Sequence, residues 1–228
     1  MDKIITSAKE LREILAPPLS DMAKLAGLRR ECGILEDHDF FDNGYKRMME
    51  ASKMMEIKNL IDEDFVNYKE PSMFIGMPTC SFKCDKDCGR AICQNSALAT
   101  APSIEMDYDE IAERYFNNPF VEAICFGGLE PFDTGIGTYH FLLLHLKKEK
   151  AKHNYSKPLP TFVFYTGYYP DEVKSQIEYL KKYFSSVPVI IKFGRFIPDK
   201  PHRFDDILGV ELASDNQYAM RLEDINDI

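Results

Sequence analysis

The pattern of apolar and polar positions changes character near residue 72. Beyond it, short runs rich in aromatic and β-branched residues recur at 73–77, 120–126, 161–166 and 187–193, and each reads as a strand. Helical patterns lie between them. Asp107 to Glu110 resembles a capping box, with Ile111 and Tyr115 on one face of the helix it opens. Residues 136–150 make an apolar helix that ends in lysines, which suits the dipole at its carboxyl end. Pro170 starts another, with Asp171 and Glu172 in its first turn and Val173, Ile177 and Leu180 as its apolar stripe. Strand–helix alternation of this kind predicts βα units around a parallel sheet. Four repeats are too few for a closed eight-stranded barrel, so the expected fold is α/β, an open, partial βα barrel over residues 71–228.

Residues 1–70 read differently, as a helical amino-terminal extension. The first fifteen residues have the pattern of an amphipathic helix, with a capping box at Ser7 to Glu10, and Pro17 and Pro18 interrupt it. After the Asn43-Gly44 turn signal, a second helix is expected to carry Met48, Met49, Met54, Met55, Leu60 and Ile61. Such a Met-rich surface suits either a pliable partner or simple packing against the main domain, the commoner use.

Composition narrows the function classes. The chain has 228 residues, 45% of them hydrophobic and 29% charged, as in ordinary globular proteins. No apolar run approaches the ~20 residues needed to span a bilayer, and the amino terminus lacks the pattern of a signal peptide. A cytoplasmic location is the expectation. The formal net charge is -9, and the lysines are scattered, with Lys147, Lys148, Lys150 and Lys152 at a solvated helix end. A nucleic-acid or anionic-membrane partner would need a basic face, so neither is expected.

Six cysteines change the picture more. Four fall within fourteen residues, Cys80, Cys84, Cys88 and Cys93, while Cys32 and Cys125 stand apart. In a reducing compartment a tight cluster reads as a metal or cluster site, not as a disulfide framework. Thiolates suit zinc or iron–sulfur clusters, and the spacing alone leaves both open. The cysteine loop follows the first predicted strand, Gly127-Gly128 the second, Thr166-Gly167-Tyr168 the third and Gly194-Arg195-Phe196 the fourth. In a parallel sheet those positions share the rim where ligands bind. Paired glycines let a ligand approach backbone without a Cβ clash, although a plain turn explains most such pairs. His140 and His145, five apart on a helix, lack a ligand spacing and are expected to be structural, as are Cys32 and Cys125.

Taken together, these segments resemble the radical S-adenosylmethionine (SAM) superfamily, and within it the activating proteins of anaerobic ribonucleotide reductases. The family carries Cys-x3-Cys-x2-Cys with an Asn two residues after the last cysteine. Ile92-Cys93-Gln94-Asn95 is similar to that ending, which matches Cys80, Cys84 and Cys93 to the three ligands and makes the spacing Cys-x3-Cys-x8-Cys. Cys88 falls within the insertion and is the alternative third ligand. Gly127-Gly128 and Glu130-Pro131 resemble the Gly-Gly-Glu-Pro element, with Leu129 interposed. Tyr165 to Tyr168 resembles a Tyr-Thr-Gly-Tyr element. Gly194 to Phe196 and Ser214 to Gln217 resemble Asp-Gly-Arg-Phe and Ser-Ser-Asn-Gln, with Phe193 where the family has Asp. The likeness covers about residues 72–222 and leaves residues 1–70 without a counterpart.

The resemblance implies one [4Fe–4S] cluster on Cys80, Cys84 and Cys93, and SAM held near Ile92, Gln94, Gly127, Gly128, Glu130, Thr166 and Tyr168. It implies reductive cleavage of SAM to a 5′-deoxyadenosyl radical, with a flavodoxin- or ferredoxin-type reductant. It further implies a protein substrate, a glycyl-radical enzyme such as an anaerobic ribonucleotide reductase. Two competing readings are a radical SAM enzyme acting on a small molecule, of the nucleoside-biosynthesis type, and a non-catalytic zinc module using all four clustered cysteines.

Overall fold

The structure, a computed structural model, describes residues 53–226. These belong to a compact unit that begins at Met54. Its first elements are strands β1 (Met54–Ile57) and β2 (Asn59–Asp64), which corrects the helix expected through Met54, Met55, Leu60 and Ile61. Met55 and Ile57 are buried while Met54 is exposed, the two-residue period of a strand. The main unit therefore includes residues 54–70, earlier assigned to the extension. Residues 1–15, Cys32, Met48 and Met49 lie outside the described residues.

The four expected strands are present as β3 (Ser72–Gly76), β5 (Ala123–Gly127), β6 (Thr161–Tyr165) and β7 (Val189–Phe193). They pair in parallel, in the order in which they occur along the chain. Antiparallel strands close both sides of the six-stranded sheet, β2 beside β3 and β10 (Tyr218–Arg221) beside β7. A short strand, β4 (Ile104–Asp107), pairs with β1 outside that sheet. The cysteine loop contributes two short helices, α1 (Lys83–Cys88) and α2 (Ser96–Thr100).

Three longer helices carry the chain between parallel strands: α3 (Tyr108–Asn117), α4 (Gly137–His153) and α5 (Lys174–Tyr183). Asp107 caps α3 by accepting a hydrogen bond from Asp109 N at 2.8 Å. All three pack on one face of the sheet. Ile111, Tyr115, Leu142, Leu146, Ile177 and Leu180 meet Ile124, Phe126, Phe162, Phe164 and Ile191 there. Crossovers of one hand that always step to the next strand keep their helices on a single face.

Alternate residues of the same strands point the other way. Ala123, Cys125, Val163 and Ile190 form a second apolar cluster with Tyr68, Leu208 and Leu212. A hairpin of β8 (Arg203–Asp205) and β9 (Val210–Leu212) supplies part of that cover in place of a fourth crossover helix. Burial of both faces explains why the central strands are near-continuous apolar runs. Among the described residues, no helix is long and apolar enough to cross a membrane.

Candidate functional site

The carboxyl ends of the parallel strands set the site. β3 runs directly into the cysteine loop, which is anchored by backbone bonds to the loop after β5: Met77 N donates to Gly127 O at 2.9 Å, and Glu130 N donates to Thr79 O at 2.9 Å. Within the loop Phe82 adopts a left-handed conformation (φ 53°), which is uncommon for a bulky residue. Its N–H reaches the Cys80 sulfur at 3.3 Å, and its carbonyl accepts from Lys86 in the first turn of α1.

The insertion then folds back. Asp85 Oδ1 accepts the backbone N–H groups of Ile92 and Cys93, each at 2.9 Å, so Cys93 returns to the start of α1. Cys80, Cys84 and Cys93 are all half-buried, whereas Cys88 is exposed at the far end of α1. Burial pushes the Cys80 thiol up to about 11, opposed by the Phe82 N–H, and nearby Glu130, Asp133 and Cys93 raise it further. Burial likewise raises the Cys84 thiol, opposed by a bond from Phe196 N–H, and Cys93 again adds to the rise. Cys93 is thus within electrostatic reach of both other thiols. Among the described residues, no three acidic, cysteine or histidine side chains converge closely enough to hold a single metal ion. By donor chemistry, three half-buried thiols suit soft metals.

Around the thiols, the loops after β5, β6 and β7 are tied together. Leu129 N donates back to Gly127 O at 2.9 Å across Gly128 (φ 75°), a γ-turn that absorbs the interposed leucine. A Cβ at Gly128 would meet Leu98 Cδ2 at 2.7 Å, so the Leu98 side chain would have to shift, and the positive φ itself favours glycine. The buried Glu130 carboxylate faces the end of β6. It accepts from Thr166 Oγ1 at 2.7 Å, Gly167 N at 2.8 Å and Phe132 N at 3.1 Å. Burial pushes its pKa up to about 7 against those three bonds. Gly167 lets the cysteine helix come close, since a Cβ there would lie 3.3 Å from Cys84 Sγ.

The Tyr168 hydroxyl donates to Asp133 Oδ1 at 2.5 Å and lies 3.1 Å from Ser81 Oγ, while Ser81 N donates to Asp133 Oδ2 at 2.5 Å. Arg195 is the second tie. It donates to Glu172 at 2.6 and 2.8 Å, and its Nε lies 2.5 Å from Asp87 Oδ2 on α1. The Arg195 guanidinium holds the Glu172 carboxyl down to about 2, with Lys83 adding a second cation at 2.5 Å. Asn216 Nδ2 donates to Arg195 O at 2.8 Å and Gln217 Nε2 to Gly194 O at 3.2 Å, which assigns the Asn-Gln segment to holding this loop.

The cysteine loop and the expected site residues Gly127, Gly128, Glu130, Thr166 and Tyr168 therefore fall on or beside one rim, with unequal placement. Gly127, Gly128, Glu130, Thr166 and Tyr168 gather around the thiols, but Glu130, Thr166 and Tyr168 are already engaged with neighbouring loops. Ile92 is half-buried and Gln94 exposed. Sequence reasoning missed Asp85, Asp87, Asp133, Glu172 and Lys192. Only Lys192 carried a local signal, as a charge inside the apolar run of β7. The histidines are structural partners: His140 Nδ1 lies 2.7 Å from Tyr179 OH, and His145 Nδ1 lies 2.5 Å from Asp109 Oδ1. No protein-family model, curated protein or solved structure matches the chain.

Proposed function

We propose that this chain is a radical SAM enzyme whose parallel strands form an open, partial βα barrel, and that it generates a glycyl radical on a partner of the anaerobic ribonucleotide reductase type. The observation that supports the reading is that Cys80, Cys84 and Cys93 are half-buried in the loop after β3, with Cys93 in electrostatic reach of the other two and Cys88 exposed. Those three thiols would hold a [4Fe–4S] cluster, and with SAM such a cluster supplies one-electron cleavage of the sulfonium to a 5′-deoxyadenosyl radical.

The chain's own residues do the placing. Asp85 fixes the backbone of Cys93, and Arg195 and Lys83 pin α1 and its loop to Glu172. Gly127 and Gly128, at the end of β5, would hold the methionine group of SAM through their backbone. Glu130 and Thr166 hold the loop after β6 against that turn. The face opposite the helices is filled by Tyr68, Val163, Leu208 and Leu212. A glycine on a partner loop, delivered to the rim, needs no polar pocket within that face, which favours a protein substrate over a small polar one.

The test is anaerobic reconstitution of the full chain. About four irons per chain are expected, retained in Cys88→Ala and lost in Cys80→Ala, Cys84→Ala and Cys93→Ala. Reduced protein with SAM should release 5′-deoxyadenosine and leave an EPR-detectable glycyl radical on the partner reductase. A colourless protein holding one zinc would overturn the reading. Turnover of a small metabolite, with no radical on the reductase, would replace the proposed substrate.

A further inference from the structure

Lys192 is a lysine inside a fully buried strand of the sheet. β7 is buried at every position, and Lys192 itself is 7% exposed. Its register partner on β6 is Tyr165, and its carbonyl accepts Thr166 N at 2.9 Å, which places it at the rim end of the face opposite the helices. The ammonium is held by one hydrogen bond, to Gly194 O at 3.0 Å. Gly167, next to Thr166, stands against Cys84, since a Cβ there would lie 3.3 Å from the Cys84 sulfur. Cys84 thus sits at the same rim, in the electrostatic field of Lys192, and so does the buried Glu130 carboxylate. Arg195 also reaches Cys84, but its guanidinium is committed to Glu172 and Asp87.

Binding any soft-metal group to Cys80, Cys84 and Cys93 requires three thiolates in a half-buried mouth, close to a carboxylate that is already there. Uncompensated charge in such a place is expensive. Resting on the cluster reading above, we propose that Lys192 is the buried counter-charge of the cysteine site, and that its ammonium raises the reduction potential of the cluster held there. The physical reason is general: a fixed positive charge stabilises the more negative, reduced state. Lys192 is a positioning residue in this scheme, acting through field and not through contact with substrate.

The experiment compares wild type, Lys192→Met and Lys192→Arg as reconstituted full-length proteins. Iron content and the midpoint potential from an EPR-monitored redox titration without SAM are the readouts. The expected result is a more negative midpoint in Lys192→Met, with Lys192→Arg close to wild type. If Lys192→Met holds no cluster while Lys192→Arg does, the charge requirement is supported by assembly instead of potential. An unchanged midpoint in Lys192→Met with full iron overturns the proposal. So does equal loss of cluster in both variants, because shape and not charge would then be decisive. Absence of any iron–sulfur cluster in wild type would defeat the functional reading itself, a separate outcome.

Discussion

At the scale of single residues, the site is a set of charges in unequal surroundings, and Glu172 makes the most direct prediction. Its carboxyl titrates near 2 because Arg195 and Lys83 donate to its charged form. A folded-state pKa below the unfolded value, ~4.3, means that the pairing stabilises the protein above that pH and is lost as pH falls toward 2. Glu172→Gln should therefore lower stability at pH 7 by about 1.5–3 kcal/mol, the range for hydrogen bonds to charged groups. The gap from wild type should close between about pH 4 and pH 2, as read from urea midpoints across that range. A gap independent of pH would mean that the ion pair contributes nothing.

At the scale of elements, the γ-turn between β5 and the 3₁₀ turn that follows it (Pro131–Asp133) is a tight joint. Gly128→Ala places an L side chain at φ 75° and a methyl group 2.7 Å from Leu98 Cδ2. The conformation alone costs about 1–2 kcal/mol, and the shift of the Leu98 side chain adds to it. The urea midpoint should fall accordingly; an unaltered midpoint would show that the turn relaxes freely. The central strands were legible in the sequence because β3, β5, β6 and β7 are continuous apolar runs bounded by turn residues. The strands β1 and β2 were not. Four and six residues are too few to separate a two-residue period from a helical one, and methionine has no β-branch to favour either. In the site, the cysteines and glycines were legible as residue types. The carboxylates that organise them were not, since Asp85, Asp133 and Glu172 look like any solvated acid until the fold brings backbone N–H groups and Arg195 to them.

For the whole molecule, stability rests on an aromatic core on the helix side of the sheet. Phe126 stacks on Phe164 at 5.1 Å and meets Tyr139 edge-on at 4.9 Å, all three fully buried. Phe126→Ala should destabilise by about 3–5 kcal/mol, seen as a lower denaturant midpoint. Phe126 lies one residue before the rim, so, on the proposed cluster reading, the same variant should also lose iron on reconstitution if the core and the rim form one cooperative unit. Retention of full iron despite the stability loss would show that the rim holds its shape independently.

The cross-bracing of the rim has a consequence for how this protein can change. Loops at the carboxyl ends of parallel strands are usually modular, each free to lengthen or be replaced while the scaffold stays the same. Here Asp133, Ser81 and Tyr168 belong to three different loops yet share one hydrogen-bond cluster, and Asp87, Glu172 and Arg195 link α1 and the loop after β6 to the loop after β7. A loop transplanted alone would leave partners on its neighbours unmatched. Variation at this rim must come in linked sets, so a library that recombines whole triads should keep far more folded members than one that shuffles the loops singly.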